Sequence, residues 1–385
     1  MYREEPYTGE DLPSKHLCLT YDDGPGKNTL QIAEFLFQQD IQATFFVVGK
    51  YAIENEEILN SVAALGHLIA NHTFEHPDLP YYLSREGDVQ NQVIRTDAVI
   101  GKYNKKNTIY FRSPYGKWSK EVADELNANI LATINHIGPI YWDIAGIDCF
   151  YWKNNVTVEE ATAKYLEDIK KKNHGIVVMH DEIADMEYLQ IKNKTLQLTK
   201  QLIPKLKADG YKFVRLDEIK SIKDDAAKQL TITLKTTEGK YLYSTSNNTI
   251  SIKADNDKSN KNFTIKDLGN SQFAFKAVTG LFLQVNKSKG NEVQATETEV
   301  TKAEKFDLIP LNSNKVLLRA CNGNYLTIAP KSGSLTATAE FMRGAQIFLL
   351  TPTTLQERKS FSLSKKIRSL KRQLLYIKSK ITQAV

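Results

Sequence analysis

The sequence lacks an uninterrupted apolar stretch approaching the roughly 18 residues that a membrane-spanning helix needs, so nothing in it reads as crossing a bilayer. Cysteine is scarce: Cys18, Cys149 and Cys321 are scattered, an odd count that cannot complete a disulfide framework. None has CxxC spacing, which excludes a zinc cluster of the structural type. The opening residues, MYREEPYTGEDLPSKHL, carry acids and lack the apolar core of a secretory signal. The expectation is a protein of the cytoplasm or of the inner face of the membrane. The alternative is a cell-envelope or secreted protein whose leader has been removed. Disorder and fibrous bias are absent too, because 41% of the 385 residues are hydrophobic and 25% charged, close to the globular average. That length predicts two or three domains.

Positive charge is concentrated in one place. Residues 356–385 hold nine Lys and Arg against one acid, Glu357, and this stretch alone outweighs the whole chain's net charge of +6. The rest of the chain is slightly acidic, which argues against a nucleic-acid partner and confines any basic surface to the tail.

Up to about residue 220, short apolar runs alternate with helical patterns. LCLTY (17–21), ATFFVVG (43–49), HLIANH (67–72), IYFRS (109–113), GPIYWDI (138–144), GIVVMH (175–180) and KFVRL (212–216) read as strands. TLQIAEFLFQQ (29–39) and IENEEILNSVAALG (53–66) have helical periodicity. Repeated alternation of this kind implies parallel strands with crossover helices, an α/β sheet or barrel, with its active site at the carboxyl ends of the strands. Beyond the charged stretch at 218–229 the texture becomes β-like and an internal repeat emerges. Gly239-Lys-Tyr-Leu, Gly280-Leu-Phe-Leu and Gly323-Asn-Tyr-Leu lie 41 and 43 residues apart, each followed by a strand opening on Phe263, Phe306 or Phe348. Three repeats of about 42 residues predict a closed threefold structure with Gly in each hairpin turn. The pattern resembles the β-trefoil of the fascin type, while the Gln-x-Trp repeat of ricin-type lectins is absent.

Ionisable residues cluster where the strands should end. Asp22 and Asp23 close the first long run at Asp-Asp-Gly-Pro, a good turn sequence that also offers two carboxylates for two tasks. His72 and His76 stand four apart, so one helical turn would bring both imidazoles to one face. A His pair with one carboxylate is the ligand set of a catalytic zinc site that keeps an open position. The glutamate base of the His-Glu-x-x-His proteases is missing from that slot, and Asp22 is available instead. By itself such a pair is more often a solvated helix face. Arg112, Tyr115, Asp148 and His180 add a cation, a turn, a carboxylate and a second histidine at other strand ends, and that coincidence points to a site.

In order, TYDDGP, ATFFVVG, HTFEHP, FRSPYG, WDIAGID and VVMHD resemble the motifs of the NodB-homology polysaccharide deacetylases, carbohydrate esterase family 4, over roughly 15–217. The resemblance implies an irregular (β/α) barrel and removal of N-acetyl groups from amino sugars, with Zn2+ or another divalent transition metal as cofactor. It assigns Asp23, His72 and His76 as metal ligands, Asp22 as general base and Arg112 as the cation paired with it. It also assigns the Tyr115 backbone N–H as oxyanion donor and His180 as general acid, oriented by Asp148 with Asp143 as fallback. Three departures stand out: Ala145 where an Asp is common, Cys149 where a Trp usually walls the acetyl pocket, and Ser113 for Pro. The expected organisation is a catalytic domain at 1–222, a β-trefoil-like domain at 228–353 and a basic amphipathic helix at 354–385. Expected partners are an N-acetylated glycan, a second glycan on the trefoil and an anionic membrane surface on the tail. The tail expectation rests on the seam Leu363, Ile367, Leu370, Leu374, Ile377 and Ile381, ringed by cations. Two other functions fit the same residues: a deacetylase or deformylase of a lipid-linked sugar, and a glycan-binding protein with a vestigial catalytic domain.

Overall fold

A computed structural model describes residues 1–353 except 105–107, 130–132, 134, 145–146, 186, 229, 254–259, 270–271 and 312–313. The tail seam and Ala145 therefore lie outside the described residues. The chain divides into two compact units, Met1–Lys228 and the remainder from Gln229.

In the first unit, four strands form a parallel sheet in the order β4 (Leu68–Asn71), β3 (Thr44–Val47), β2 (His16–Asp22), β7 (Gly175–His180), with β8 (Lys212–Phe213) also pairing with β2. A second parallel sheet has the order β1 (Tyr2–Tyr7), β6 (His136–Ile140), β5 (Ile109–Tyr110). Isolated bridges Asn71–Phe111 and Ile144–Val177 stitch the two sheets together and close an irregular (β/α) barrel. The central strands read as apolar because helices and barrel interior cover both faces. In β2, every residue from Leu17 to Asp22 is buried. The crossover helices carry their own signals. That at Val158–Lys172 opens on a Thr157/Glu160 capping box and ends on Lys170, Lys171 and Lys172, matching its dipole. Its buried face, Ala161, Tyr165 and Ile169, joins the core of Leu19, Phe45, Val177 and Leu202.

Sequence and structure differ at the rims. IYFRS and KFVRL shrink to two-residue strands, and Tyr141–Asp143 leaves the sheet altogether. Beyond the short strands, isolated backbone hydrogen bonds such as Val214 N–H to Leu17 O, Arg112 N–H to Asn71 O and Tyr141 N–H to Tyr7 O continue the contact without a regular ladder. The apolar pattern of β1 was not legible, because YREEPY alternates only weakly.

The second unit is all-β. Its strands are β9 (Leu230–Thr236), β10 (Tyr241–Ser244), β11 (Ile250–Lys253), β12 (Asn262–Gly269), β13 (Gln272–Ala277), β14 (Phe282–Asn286), β15 (Glu292–Glu297), β16 (Phe306–Pro310), β17 (Lys315–Ala320), β18 (Tyr325–Ile328), β19 (Leu335–Ala339) and β20 (Phe348–Pro352). β9 pairs with β12 and β20, β12 with β13, β13 with β16, β16 with β17, and β17 with β20, so the sheet closes on itself as a barrel. The three predicted turns recur with the same bonds. Gly239 N–H donates to Thr236 O, Gly280 N–H to Ala277 O and Gly323 N–H to Ala320 O. All three glycines have φ between +85° and +89°, a conformation that excludes most side chains. Phe263, Phe306 and Phe348 are buried together with Leu242, Leu283 and Leu326. The expectation that the repeat aromatics are core holds for Phe282, which is buried. Tyr241 and Tyr325 are only half-buried, and Lys235 and Lys261 lie over the Tyr241 ring. The leucine beside each aromatic fills the centre.

Candidate active site

Every site residue predicted from the sequence lies at or just beyond the carboxyl end of a barrel strand. Asp22 is the last residue of β2 and pairs in register with His180, the last of β7. Asn71 ends β4 and hands the chain to His72. Arg112 follows β5, and its backbone N–H bonds to Asn71 O, which joins two of these ends directly.

The way the ligands meet departs from the expectation. His72 and His76 are not on a helix. They flank a turn in which Thr73 has φ +68° and His76 has φ +62°. Asn71 builds that turn: its side-chain oxygen accepts from Thr73 N–H at 2.8 Å, and Thr73 Oγ1 accepts from His76 N–H at 3.1 Å. The imidazole centroids end 5.0 Å apart. Asp23 likewise leaves the strand alternation. With φ +78° it turns its carboxylate toward both histidines, whereas Asp22 approaches His72 alone.

The result is a buried donor triad. Asp23 Oδ1 lies 3.5 Å from His72 Nε2 and 3.1 Å from His76 Nε2, and the three ligand atoms all lie within 4.8 Å of one another. Two imidazole nitrogens and one carboxylate suit zinc and similar ions, and bonds of about 2.0–2.2 Å in a tetrahedron put ligand atoms about 3.3–3.6 Å apart. The triad therefore fits a divalent ion with a position to spare. The next layer of groups aims each donor. His72 Nδ1 faces Arg112 O at 2.9 Å, His76 Nδ1 faces Asp185 Oδ2 at 2.6 Å, and Asp23 Oδ2 accepts from Ala184 N–H at 3.1 Å. These bonds leave the Nε2 atoms and Asp23 Oδ1 pointing inward. Burial would raise the Asp23 carboxyl, but the two histidines outweigh it and hold it well below the usual range. Burial would lower His76, yet Asp23 and Asp185 push it up to about 9.

Asp22 stands between the triad and a cation. Its Oδ2 is 3.9 Å from His72 Nε2, while Oδ1 accepts from Arg112 Nη1 at 2.6 Å. Arg112 is fully buried and anchored to Thr20 Oγ1, Ile140 O and Tyr141 O, with its guanidinium 4.1 Å from the Phe46 ring centroid. On the neighbouring strand, His180 Nδ1 faces Asp148 Oδ1 at 2.7 Å. Asp148 is fully buried at the start of the short helix Asp148–Lys153, and its Oδ2 accepts from His180 N–H and Thr195 Oγ1. Burial pulls the His180 imidazole down, but the charge and hydrogen bond of Asp148 outweigh it and the net shift is well upward. Asp143, the fallback for that carboxylate, accepts instead from the N–H groups of Gly9 and Ile176 and braces the strand ends. Tyr115 sits in a tight turn at φ +58°, half-exposed, with its ring centroid 4.6 Å from that of His76 and its hydroxyl bonded to Asp185. Cys149 packs against the barrel core.

Sequence reasoning missed Asp185, Thr195 and Thr20. Thr20 opens the TYDDGP motif but nothing in it announces a bond to Arg112, Thr195 has no motif to mark it, and Asp185 lies in a loop whose reach to His76 no spacing reveals.

Comparison with known proteins gives two family matches. Residues 9–133 match the polysaccharide deacetylase family, and residues 219–346 match a domain of unknown function, DUF7910. A chitooligosaccharide deacetylase of Sinorhizobium fredii is 30% identical over 217 residues, which cover 54% of this chain and 93% of that protein. A peptidoglycan-N-acetylglucosamine deacetylase, PgdA, of Listeria monocytogenes is 28% identical over 56% of this chain, and the match spans 41% of that longer protein. Among solved structures, a peptidoglycan N-acetylglucosamine deacetylase aligns at 24% identity and a TM-score of 0.45, covering 55% of this chain and 91% of that one. With a relative matched along nearly its whole length, and with the Asp-His-His triad in place at the strand ends, the chain belongs to the polysaccharide deacetylase family, hydrolases of amide bonds.

Proposed function

We propose that the first unit removes N-acetyl groups from N-acetylglucosamine units of a chito-oligosaccharide or peptidoglycan strand. The observation that carries this reading is the buried triad flanked on adjacent strands by Asp22–Arg112 and His180–Asp148. Asp23, His72 and His76 would hold a divalent ion, zinc by the chemistry of the donor set. Such an ion polarises the amide carbonyl and acidifies water. Asp22, paired with Arg112, takes the proton from the attacking water. The Tyr115 backbone N–H stabilises the charge that develops on the carbonyl oxygen. His180, held protonated by Asp148, delivers a proton to the departing sugar amine, which would otherwise be a poor leaving group. Base and acid stand at paired positions at the ends of β2 and β7.

The test is acetate release from a panel of N-acetylglucosamine oligomers and peptidoglycan, with the protein stripped by a chelator and then reloaded with zinc. Activity that disappears on stripping, returns on reloading and falls about 10²–10⁴-fold in Asp22→Asn supports the reading. No acetate from any substrate with the reloaded protein overturns it.

For the second unit, the reading is a β-trefoil that holds a glycan. The trefoil is supported by the three turns at equivalent spacing and by the hairpins β10–β11, β14–β15 and β18–β19 interleaved with the closed ring, and the glycan by analogy with that fold alone. Hydrogen-exchange protection within 230–352 of the full chain on adding glycan tests it, and unchanged exchange there overturns it.

A further inference from the structure

The loop that follows β7 reaches the site twice, from the outside. Ala184 N–H donates to Asp23 Oδ2 at 3.1 Å, and Asp185 Oδ2 accepts from His76 Nδ1 at 2.6 Å. Its backbone is fixed in turn by the Tyr51 hydroxyl, which donates to Ala184 O at 2.8 Å. The same Asp185 oxygen also accepts the Tyr115 hydroxyl. One carboxylate oxygen thus joins a residue of the donor triad to the side chain of the turn that carries the oxyanion donor.

We propose that Asp185 is a positioning residue that aims His76 at the divalent ion and, through the same oxygen, ties the Tyr115 turn to that ligand. This rests on the metal site proposed above. The two histidines of the triad are held differently. His72 is steered by a backbone carbonyl, Arg112 O, whereas His76 is steered by a carboxylate. A carboxylate on Nδ1–H selects the tautomer whose Nε2 lone pair faces the ion and makes that nitrogen a stronger donor. The Tyr115 backbone, at φ +58°, does not hold that conformation cheaply by itself. Its phenol bond to Asp185 and its ring contact with His76 supply the restraint. Ion, ligand and oxyanion turn therefore form one mechanical unit: loosening Asp185 should weaken the ion and displace the turn together.

The experiment uses the full chain, stripped with a chelator. Zinc affinity is read by competition with a chromophoric chelator, and ligand geometry by the visible absorption of the cobalt(II)-loaded protein. Asp185→Ala should bind zinc about 10–100-fold more weakly and shift the cobalt bands, with Asp185→Asn between it and the wild type. Tyr115→Phe should weaken zinc roughly two- to fivefold, and that effect should vanish when Asp185→Ala is already present, because the two share one oxygen. Asp185 is 42% exposed, so these variants should keep the wild-type melting temperature, and Asp185→Asn preserves the shape if Asp185→Ala does not fold. Zinc affinity within twofold of wild type and unchanged cobalt bands in Asp185→Ala overturn the assignment. Additive effects of the two substitutions overturn the coupling while leaving the aim of His76. A wild-type chain that binds neither ion overturns the metal site itself, and this assignment with it.

Discussion

Replacing Asp148 by Asn leaves the shape of the site almost unchanged and removes one charge. In the native protein the Asp148 carboxylate is fully buried and takes three hydrogen bonds, from His180 Nδ1 at 2.7 Å, His180 N–H at 2.9 Å and Thr195 Oγ1 at 2.8 Å. An amide can keep the last two only by presenting its NH2 to His180 Nδ1, which then must be unprotonated. The imidazolium loses its counter-charge and its favoured tautomer at once. An opposite charge at such distance is worth about 1–3 pKa units. Burial, which already opposes the charged imidazole, is then countered by the weaker pull of Asp23 in place of Asp148. The sign follows. Wild-type His180 has its pKa raised above the ordinary value, so its imidazolium persists through neutral pH and is lost only on the alkaline side. In Asp148→Asn the alkaline limb of the pH–rate profile should move down by about 1–3 units and the maximal rate should fall about 10²–10⁴-fold. Stability should follow the same pattern. The pair's contribution is complete below the unfolded histidine pKa and disappears as pH rises through the folded one, so the Asn variant should be most destabilised in mild acid and close to wild type in strong alkali. Acetate release measured between pH 5 and 10, with melting curves across the same range, checks both. An alkaline limb at the wild-type position would refute the reasoning, since it would mean that His180 does not titrate as the acid or that Asp148 does not hold its proton.

Four other outcomes are expected. Arg112→Met strands Asp22 as a buried unpaired carboxylate and should cost about 3–5 kcal/mol in denaturant unfolding; a cost below 1 kcal/mol would show that the pair does not brace the barrel. His72→Ala or His76→Ala should abolish zinc binding and acetate release while leaving far-UV circular dichroism intact, and near-normal turnover in either would remove it from the ligand set. Phe263→Ala, Phe306→Ala and Phe348→Ala should each destabilise the second unit by about 3–5 kcal/mol, similar in size because the three fill equivalent places, and an exposed-like loss at any one would break the equivalence. The full chain should float with anionic liposomes at low salt and less at high salt, whereas a chain truncated at Thr354 should not; equal flotation of both, or of neither, removes the tail as anchor.

The strand ends were legible because parallel strands covered on both faces are written as apolar runs, and an ionisable residue at the end of such a run is conspicuous. GIVVMH ending on His180 and LCLTYDD ending on Asp22 and Asp23 carry that signal, as does the threefold Gly-aromatic-Leu spacing in the second unit. The geometry between the ends was not. A helix was the natural expectation for His72 and His76, since spacing alone cannot announce that a β-branched residue, Thr73, takes a positive φ. Asp143 and Asp148 stand five apart in one segment and look interchangeable in sequence. Only the fold assigns the first to two backbone N–H groups and the second to His180.

Asp23, Thr73, His76 and Tyr115 all hold positive φ, at +78°, +68°, +62° and +58°, and none is glycine. Each such conformation costs an L-residue on the order of 1 kcal/mol or more. A screen of this protein for heat resistance alone, with no selection for turnover, should therefore drift toward Gly or Asn at these four positions. At Asp23 or His76 such a change removes one of the three triad donors, and at Thr73 or Tyr115 it loosens a turn beside them. Heat tolerance and turnover should trade against each other most steeply at these four positions, and an engineer seeking a more durable enzyme should leave them fixed and work on the helices instead.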